Sequence, residues 1–565
     1  MQFRSRSFEE TAVALSAESL VVSLPHDGGS SQVLRGIDIT IRSGETVCLV
    51  GESGSGKSIT SLAIMGLLPD PLKATQGVIS LQGRNLLPLT QAQLRDLRAS
   101  RIAMIFQEPM TALNPVLRVG DQIMEVLELH TRLTAGQRRA RAIDIMRQVR
   151  LPDVERIFTS YPHQLSGGQR QRIMIAMALV LEPVLLIADE PTTALDVTTQ
   201  KQILLLIDEL QQRHNTAVLF ITHDMGVVSE IADTVYVMKS GQVVEHGPIR
   251  QVLSEPRGQY TRDLLAAVPS LSPRRPRPCG GEVILEVNGL NKVFGGRGIL
   301  KVLPEAHAVR DVSFALARGR TLGIVGESGS GKSTLARCIM RLIEPTSGTI
   351  SLGGTDIAHL SHRALRPHRK MLQVVFQDPM RSLNPRRTIG ASLIEGPLNY
   401  GTARADALAE AARLMRVVGL PENALDRYPH MFSGGQRQRI AIARAVMMRP
   451  DVLVADEAVS ALDVSVQAQV LALLEQLQEE MGIAIIFITH DLRVAAQICD
   501  EMIVMQRGQV VEQGPAHRVL TAPAHPYTRA LIDAAPGRGW DFHHCRAMPV
   551  AMTPTALTGA QEEHG

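Results

Sequence analysis

The chain has 565 residues, which is too long for a single hydrophobic core, so two or more domains are expected. Its 59 Lys and Arg residues nearly balance its 56 Asp and Glu residues, and the formal net charge of +3 argues against a surface dedicated to nucleic acid. The five cysteines are scattered with no CxxC pair. This spacing indicates neither a zinc site nor a disulfide framework, and it favours reduced thiols.

The N-terminal segment has arginines but no apolar stretch after them, so it does not read as a signal peptide. The most apolar segment, 173–188, is interrupted by Glu182 and Pro183, and neither part can span the roughly 30 Å of hydrocarbon in a bilayer. We therefore expect a soluble chain that reaches a membrane only through a partner.

The first element with a chemical signature is a Gly-rich loop. An apolar run at 46–50 leads into residues 51–58, GESGSGKS, and the same eight residues recur at 326–333 after the apolar run 321–325. Glycines let backbone N–H groups converge on a phosphate, and the helix that follows adds the positive end of its dipole. The pattern predicts two ATP-binding loops, in which the lysine reaches the β and γ phosphates and the next serine binds Mg²⁺. The predicted residues are Gly51, Ser53, Gly54, Ser55, Gly56, Lys57, Ser58 and Ile59 in the first copy, and Gly326, Ser328, Gly329, Ser330, Gly331, Lys332, Ser333 and Thr334 in the second.

A second phosphate-recognition segment lies further along each half. The sequence SGGQ occurs at 166–169 and at 433–436, where a Ser-Gly-Gly turn that opens a helix offers backbone amides and a hydroxyl. Each half already has one phosphate loop, so we expect this segment to bind the ATP held by the other half. Its residues are Ser166, Gly167, Gly168 and Gln169 in the first half, and Ser433, Gly434, Gly435 and Gln436 in the second.

Both halves also contain an apolar run that ends in Asp-Glu. Asp189 and Asp456 stand where a second contact to Mg²⁺ is needed, and Glu190 and Glu457 can polarise a water molecule in line with the γ-phosphate. Polar residues just beyond strand ends are where α/β sheets bind ligands. We therefore predict that both halves hydrolyse ATP.

The landmarks of the two halves recur in the same order, and in the second part of the module they keep a constant spacing. Matched residues are 275 apart at the loop lysine, 270 apart at Gln107 and Gln377, and 267 apart from the SGGQ segment onward. Chance motif matches would not keep one register over that length, so the chain is predicted to be two copies of one module. The matched pairs are Lys57 and Lys332, Gln107 and Gln377, Ser166 and Ser433, Glu190 and Glu457, His223 and His490, and Tyr260 and Tyr527.

With these motifs the chain resembles the ATP-binding subunits of ABC transporters over nearly its whole length. The resemblance implies an α/β fold of two tandem P-loop ABC ATPase domains, each a mainly parallel sheet with an antiparallel β part and an inserted helical subdomain. The amphipathic stretches 119–160 and 389–427 suit that subdomain. The resemblance further implies that Gln107 and Gln377 are Q-loop glutamines, which sense Mg²⁺ and water. It implies that His223 and His490 are switch histidines at the γ-phosphate. By the same resemblance Asp196 and Asp463 are D-loop aspartates. The expected Mg²⁺ ligands are then Ser58, Gln107, Asp189, Ser333, Gln377 and Asp456.

The resemblance narrows to peptide-import ATPases. Residues 107–115 and 377–385 look like the Q-loop extension of that family, and 523–531 match its end-of-domain motif more closely than 256–264 do. Two modules in one chain are similar to fused peptide or glutathione import ATPases, while a nickel or opine importer stays open. The resemblance implies two transmembrane permease subunits and a periplasmic or extracytoplasmic substrate-binding protein as partners, no nucleic acid, and a place on the cytoplasmic face of the bacterial inner membrane.

Composition predicts the domain limits. The Pro-, Gly- and Arg-rich segment 271–282 is typical of a surface linker between a first domain, 1–270, and a second, 283–536. After residue 536 the chain turns to Gly, His, Met and Thr without periodicity, which predicts a flexible tail over 537–565.

The chain departs from the family pattern at two places. Relatives stack adenine on an aromatic ring; Phe294 offers one in the second copy, but Leu24 stands at the matching place in the first, so weaker stacking is expected there. Many relatives also carry a cysteine cluster for an iron–sulfur centre, whereas only Cys279 or Cys545 follows each copy, so no cluster is predicted. The adjacent residues 543–545, His-His-Cys, are not expected to bind a metal.

The repeat and the resemblance together predict two composite ATP sites that close like a clamp. One joins the first Gly-rich loop to the SGGQ segment of the second copy, and the other is its reciprocal. Two further classes of twin-module ATPase fit less well. Ribosome-acting translation factors have a long charged helical linker between their modules, and DNA-repair ATPases have inserted zinc-binding cysteine pairs; this sequence has neither.

Overall fold

Two copies of one architecture follow each other along the chain in the computed structural model, which describes residues 11–26, 29–107, 112–192, 195–275, 277, 281–297, 302–460 and 462–548. Each copy has a six-stranded sheet and a separate four-stranded antiparallel sheet. In the six-stranded sheet five strands are parallel and one edge strand is antiparallel. The predicted fold class is confirmed.

The strands that carry the predicted sites lie in the middle of the parallel sheets. Every residue of Thr46–Val50, Leu185–Asp189 and Ala217–Thr222 is buried. Alternate side chains of Thr46–Val50 enter two different hydrophobic clusters, one on each face of the sheet. A strand covered on both faces needs apolar residues at successive positions, which explains the continuous apolar runs of the sequence.

The first copy lies within residues 11–266. Its six-stranded sheet has the order Gln242–Pro248, Thr234–Lys239, Thr46–Val50, Ala217–Thr222, Leu185–Asp189 and Ile102–Ile105, and its antiparallel sheet the order Gly29–Arg42, Val13–His26, Lys73–Leu81 and Arg84–Asn85. Its helices are Lys57–Met65, Gln91–Leu97, Val119–His130, Ala135–Gln148, Val154–Phe158, the 3₁₀ turn Pro162–Gln164, Gly167–Leu179, Val197–His214, Met225–Ile231, Ile249–Ser254 and Gln259–Ala266.

The second copy repeats this order within residues 283–534. Its six-stranded sheet runs Leu372–Val375, Val452–Asp456, Ala484–Thr489, Thr321–Val325, Glu501–Gln506 and Gln509–Pro515, and its antiparallel sheet runs Val302–Ala317, Val283–Arg297, Ser347–Leu352 and Thr355–Asp356. Its helices are Lys332–Ile339, His362–Leu365, Pro379–Ser382, Ile389–Asn399, Arg404–Val417, Gly434–Val446, Val464–Met481, Leu492–Ile498, Ala516–Thr521 and Pro526–Ala534, with 3₁₀ turns at His368–Lys370, Glu422–Asp426 and Pro429–Met431.

The helical subdomain predicted for each copy is present. In the first copy it comprises Val119–His130, Ala135–Gln148 and Val154–Phe158, which pack on one another and on the helix Gly167–Leu179. Ala135–Gln148 begins with a capping box: the Thr134 hydroxyl accepts from the Gln137 N–H (3.4 Å), and the Gln137 side chain accepts from the Thr134 N–H (2.9 Å). Among the described residues, no helix has the length and apolar character needed to cross a bilayer.

The segment predicted as a linker lies against the second copy. The Arg274 N–H donates to the Ala496 carbonyl (2.9 Å), and the Arg274 guanidinium donates to the Ile498 carbonyl (2.6 Å). The Arg277 guanidinium donates to the side chain of Gln478 (2.9 Å). These contacts hold the arginine-rich segment on the protein surface. Cys279 lies outside the described residues.

The expectation of a flexible tail from residue 537 is wrong for its first part. Residues 540–547 form a two-stranded hairpin of Trp540–Asp541 and Arg546–Ala547. Trp540 and Phe542 are buried in the hydrophobic cluster of the first copy, although this segment follows the second copy in sequence. Two aromatic side chains offset the ordering cost of a segment whose average composition is that of a loop. Residues 549–565 lie outside the described part of the chain.

Trp540→Ala is expected to destabilise the first copy by about 3 kcal/mol, because Trp540 is only 9% exposed and its removal leaves a cavity. The measurement is the midpoint of urea-induced unfolding. Met548→Ala is the matched control, since Met548 belongs to the same segment but is 46% exposed. Equal midpoints for the two variants would contradict the contribution of the hairpin to the fold.

Candidate active sites

Each Gly-rich loop leaves a buried parallel strand and enters a helix at its lysine. In the first copy Gly56 has a φ of 105°, and a Cβ on it would lie 2.6 Å from Leu34. Gly331 has a φ of 104° at the same place in the second copy. Only glycine adopts this conformation at such close approach, so the sequence pattern fixes the shape of the loop. The loop brings its backbone N–H groups to the N-terminus of the helix Lys57–Met65, as the sequence predicts.

The two loop lysines lie inside their loops. Lys57 Nζ donates to the carbonyls of Gly51 (2.7 Å) and Glu52 (2.9 Å), and Lys332 Nζ makes the equivalent bonds at 2.7 and 2.8 Å. Burial lowers the pKa of both lysines, while surrounding carboxylates act in the opposite direction. Each lysine also donates to a serine hydroxyl of its own loop, Ser55 or Ser330 (3.5 Å). A buried cation held by uncharged groups of its own loop is available to a phosphate, which offers it a full negative charge.

Two of the three predicted Mg²⁺ ligands of each copy, the serine and the aspartate, meet, whereas Gln107 and Gln377 donate to the neighbouring glutamates. The Ser58 hydroxyl donates to Asp189 Oδ1 (3.2 Å), and the Ser333 hydroxyl donates to Asp456 Oδ1 (3.4 Å). Burial raises the pKa of Asp189 to about 6 and also raises the pKa of Asp456. A buried carboxylate beside a hydroxyl fits a hard divalent cation, because the charge of the cation would offset the desolvation of the carboxylate.

The glutamate at each strand end is surrounded by the other predicted catalytic side chains. Glu190 follows the strand Leu185–Asp189 and has a φ of 46°, in the left-handed region. Gln107 Nε2 donates to Glu190 Oε2 (2.9 Å), and His223 Nδ1 lies 3.1 Å from Glu190 Oε1. Burial acts to lower the pKa of His223, but the hydrogen bond and the charge of Glu190 outweigh it, so that the pKa is raised.

The second copy repeats this cluster with a looser histidine. Gln377 Nε2 donates to Glu457 Oε2 at 2.9 Å, whereas His490 Nδ1 lies 3.6 Å from Glu457 Oε1. Burial acts to raise the pKa of Glu457, but His490 and Lys332 outweigh it, so that the pKa is lowered. In each copy a carboxylate able to accept a proton therefore lies beside an amide and an imidazole.

The SGGQ serines cap helices and remain accessible. Ser166 is the N-cap of Gly167–Leu179: its hydroxyl accepts from the Gln169 N–H (3.3 Å), and the Gln169 side chain accepts from the Ser166 N–H (3.0 Å). Ser433 and Gln436 make the same capping box at the start of Gly434–Val446. Ser166 and Ser433 are both exposed, so the first turn of each helix is open to a ligand.

The two copies face each other head to tail at their Gly-rich loops. The Ser53 N–H donates to Asp463 Oδ1 of the second copy (2.8 Å), and the Ser465 hydroxyl is hydrogen-bonded to Glu52. Reciprocally, Thr198 of the first copy is hydrogen-bonded to Glu327 of the second. The predicted D-loops thus contact the Gly-rich loop of the opposite copy on both sides of the interface. Glu52, Glu327, Thr198 and Ser465 were not predicted, because nothing in one copy indicates which residues of the other it meets.

Two family models match the chain. The ABC transporter model matches residues 34–193 and 309–460, and the model of the oligopeptide/dipeptide transporter C-terminal region matches residues 244–295 and 511–544.

The chain belongs to the ABC transporter family.

Similar proteins support the fused, double-domain importer type. "Glutathione import ATP-binding protein GsiA" of Salmonella choleraesuis (strain SC-B67) is 48% identical over 557 residues, and the protein of the same name from Escherichia coli (strain K12) is 47% identical; each match covers 92% of this chain and 89% of the relative. Among solved structures, a dimeric ATP-binding cassette in a post-hydrolysis state with ADP and Pi matches 42% of this chain and 98% of its own, at 28% identity and a TM-score of 0.38. The family model and the GsiA relatives show that the chain is an ATP-binding ABC ATPase.

The oligopeptide/dipeptide region of this ABC ATPase reaches both Gly-rich loops. The Tyr260 hydroxyl accepts from the Glu52 N–H (3.2 Å), and the Tyr527 hydroxyl accepts from the Glu327 N–H (3.1 Å). Each tyrosine therefore fixes the backbone of a phosphate loop in its own copy. This role was not predicted, although the constant spacing of the tyrosine with the other landmarks was a signal that could have revealed it.

Tyr260→Phe and Tyr527→Phe are each expected to weaken ATP binding at the adjacent loop about fivefold, since each removes one hydrogen bond of about 1 kcal/mol. The measurement is titration with ATP under conditions that prevent turnover. Tyr400→Phe is the matched control, because it loses a hydroxyl bond to the Arg366 carbonyl (2.7 Å) rather than to a Gly-rich loop. Affinities that match this control would contradict the role of the two tyrosines.

The predicted adenine-stacking position of this ABC ATPase is exposed in both copies. Phe294 is 41% exposed and Leu24 is 37% exposed. The two residues occupy matching places, because Phe294 comes five residues after Gly289 and Leu24 five residues after Ser19, and both Gly289 and Ser19 have positive φ. Lys292 Nζ lies 5.0 Å from the centre of the Phe294 ring. Adenine stacking on Phe294 and its weakness beside Leu24 stay predictions.

The first Q-loop extension and the His-His-Cys segment 543–545 are the two predicted segments that remain. Residues 108–111 of the first Q-loop extension lie outside the described residues. The tail residue His544 is hydrogen-bonded to Asp541 through Nδ1 (2.8 Å). In the described part of the chain, no three or more His, Cys, Asp or Glu side chains form a group that could hold a metal ion.

Proposed function

We propose that this ABC ATPase drives the import of di- or oligopeptide cargo, glutathione-like peptides included, by closing its two copies around two molecules of ATP. The observation that carries the proposal is that both copies hold a complete glutamate, glutamine and histidine cluster while each Gly-rich loop is contacted by the opposite copy. The match to the oligopeptide/dipeptide region and the names of the relatives support a peptide class of cargo.

Each composite site uses side chains from both copies. Lys57 and the backbone of its loop bind the phosphates of one ATP, and Ser433 with the first turn of Gly434–Val446 binds its γ-phosphate from the opposite side. Lys332 and Ser166 do the same for the second ATP. In each site, a lysine of one copy and a helix N-terminus of the other copy bind the same negatively charged phosphates. This shared binding draws the two copies together.

Hydrolysis then reopens the interface. Glu190 and Glu457 orient and polarise the attacking water, while Gln107 and Gln377 hold these carboxylates through their amides. Ser58 with Asp189, and Ser333 with Asp456, would hold Mg²⁺, which neutralises charge on the β and γ phosphates when bound. Loss of the γ-phosphate removes the group shared by the two copies, so that they separate.

The proposed assembly places the chain on the cytoplasmic face of the bacterial inner membrane with two permease subunits, and a periplasmic or extracytoplasmic substrate-binding protein delivers the cargo. The helical subdomains and the Q-loop extensions would bind the cytoplasmic helices of the permeases. Closure of the copies would then switch the permeases between their outward-open and inward-open states.

The test is ATP hydrolysis by the complex of this chain with its co-purified permeases, reconstituted in lipid vesicles with the cognate binding protein. Glutathione, dipeptides, a longer peptide, an opine and a nickel chelate are compared at equal concentration. The proposal expects stimulation by glutathione or a peptide. Stimulation by the opine or nickel chelate alone, or co-sedimentation with ribosomes rather than with permeases, would refute the peptide assignment.

A further inference from the structure

One arginine lies between the two switch-histidine loops. Arg493 is the second residue of the helix Leu492–Ile498, three positions after His490, and is 8% exposed. Its Nη1 and Nη2 donate to Asp224 Oδ1 (3.0 Å) and Oδ2 (2.8 Å) of the first copy. Its Nε and Nη2 also donate to Asp491 Oδ1 (3.1 Å) and Oδ2 (2.9 Å) of the second copy. A single guanidinium thus binds both aspartates through both of their oxygens.

The two aspartates are joined directly to the predicted catalytic histidines. Asp224 follows His223, and Asp491 follows His490. Asp224 also caps the helix Met225–Ile231 by accepting from the Gly226 N–H (2.8 Å), and Asp491 caps Leu492–Ile498 by accepting from the Arg493 N–H (2.8 Å). A shift of either histidine loop must therefore move its aspartate, its helix start and the shared guanidinium together.

The bridge is asymmetric, and the sequence explains why. The residue 267 positions before Arg493 is Gly226. A Cβ at Gly226 would collide with the Arg493 guanidinium and would lie 2.9 Å from the Pro536 carbonyl. The first copy thus leaves the space that the arginine of the second copy fills. The Pro536 carbonyl also accepts from Arg493 Nη1 (3.4 Å), which places the start of the C-terminal segment over the bridge.

Charge and burial make this contact costly to break. A guanidinium that is 8% exposed faces two carboxylates whose side chains are 18% and 20% exposed, and its loss would leave both partly buried carboxylates without a cation. Burial acts to raise the pKa of Asp224, but the charge of Arg493 outweighs it, and the pKa is lowered. An exposed ion pair would have little effect on the geometry, whereas a buried bidentate pair fixes both distance and orientation.

We propose that Arg493 is a positioning residue that joins the two switch-histidine loops and so couples the two ATP sites. It holds Asp224 and Asp491 at one separation, and it thereby keeps His223 and His490 at their glutamates in the same closed state. The inference rests on the two composite sites of the proposed function. A local role of Arg493 in the second copy would affect only the site of His490, whereas the bridge affects both sites.

The experiment measures hydrolysis at each site separately by single turnover, with the full chain in excess over ATP. Glu457→Gln leaves the first site active, and Glu190→Gln leaves the second. The triple substitution Arg493→Met, Asp224→Asn and Asp491→Asn is then introduced into each of these two parent variants. It removes the bridge without leaving an unpaired charge, and asparagine still caps the two helices. We expect the single-turnover rate to fall about tenfold or more in both parents, because small displacements of catalytic groups are costly.

Two further variants sharpen the result. Gly226→Ala should slow both sites from the side of the first copy, since it displaces the guanidinium without removing a charge. Arg318→Met, at an exposed arginine paired with Asp451 (2.8 Å) just after the strand Val302–Ala317, is the matched control and should leave both rates unchanged. Circular dichroism checks that each variant is folded.

Slowing of only the second site, of only the first, or of neither by the triple substitution would overturn the coupling. If a parent variant already lacks single-turnover activity before Arg493 is changed, the result refutes the proposed function at the site whose glutamate is unaltered. The two failures are therefore distinguishable.

Discussion

Glu190→Gln is expected to lower ATP hydrolysis at the first site by roughly 100-fold, and Glu457→Gln is expected to do the same at the second site. Glutamine preserves the shape of the side chain but cannot accept a proton from the attacking water, and a positioned general base contributes on the order of 10²–10⁴ in rate. Each single change should remove more than half of the activity, because both sites share one closing movement. Phosphate release at saturating ATP is the measurement.

The control for these variants is Glu209→Gln, which changes an exposed carboxylate on the helix Val197–His214. This variant should hydrolyse ATP at the normal rate. ATP binding by the two catalytic variants should persist, since the Gly-rich loops and their lysines are unchanged. A full hydrolysis rate in either catalytic variant would refute the claim that both sites hydrolyse.

Lys57→Ala should weaken ATP binding at the first site by roughly 100-fold, because it removes charge-assisted hydrogen bonds that are worth about 1.5–3 kcal/mol and the local positive charge. At an ATP concentration that just saturates the unaltered chain, the bound nucleotide should fall from two molecules to one per chain. Equilibrium dialysis with labelled ATP measures this number. Lys332→Ala should have the same effect at the second site.

Lys370→Ala is the matched control, since Lys370 is an exposed lysine of the second copy outside the Gly-rich loops. Two molecules of ATP should remain bound in this variant. Undiminished binding of two molecules by the Lys57→Ala chain would show that this lysine is not part of a phosphate site.

Local sequence determined much of what is seen in each copy. The apolar runs before Lys57 and Lys332 predicted the buried strands, and the glycines of each loop predicted a loop whose backbone N–H groups converge, which the structure forms with left-handed turns. The carboxyl ends of parallel strands meet at one edge of a sheet, so Asp189 and Glu190 could be placed beside the Gly-rich loop without coordinates. Because each motif occurs once in each half of the chain, every such prediction applied to both copies.

Contacts between distant segments could not be predicted in this way. The bridge of Arg493 to Asp224 depends on how the two copies are oriented, and neither copy alone encodes that orientation. The C-terminal hairpin was wrongly predicted to be flexible, because two aromatic side chains, Trp540 and Phe542, outweigh a loop-like composition once they enter the core of the first copy. In the hairpin, tertiary burial overrides the local tendency of the sequence.

The central claim is that each ATP is bound by a lysine of one copy and an SGGQ serine of the other. The most direct measurement is an experimental structure of the Glu190→Gln, Glu457→Gln double variant with MgATP. We predict that one γ-phosphate lies within hydrogen-bonding distance of both Lys57 Nζ and Ser433 Oγ, and the other of Lys332 Nζ and Ser166 Oγ. A structure in which the lysine and the serine that contact one γ-phosphate come from the same copy would contradict the account.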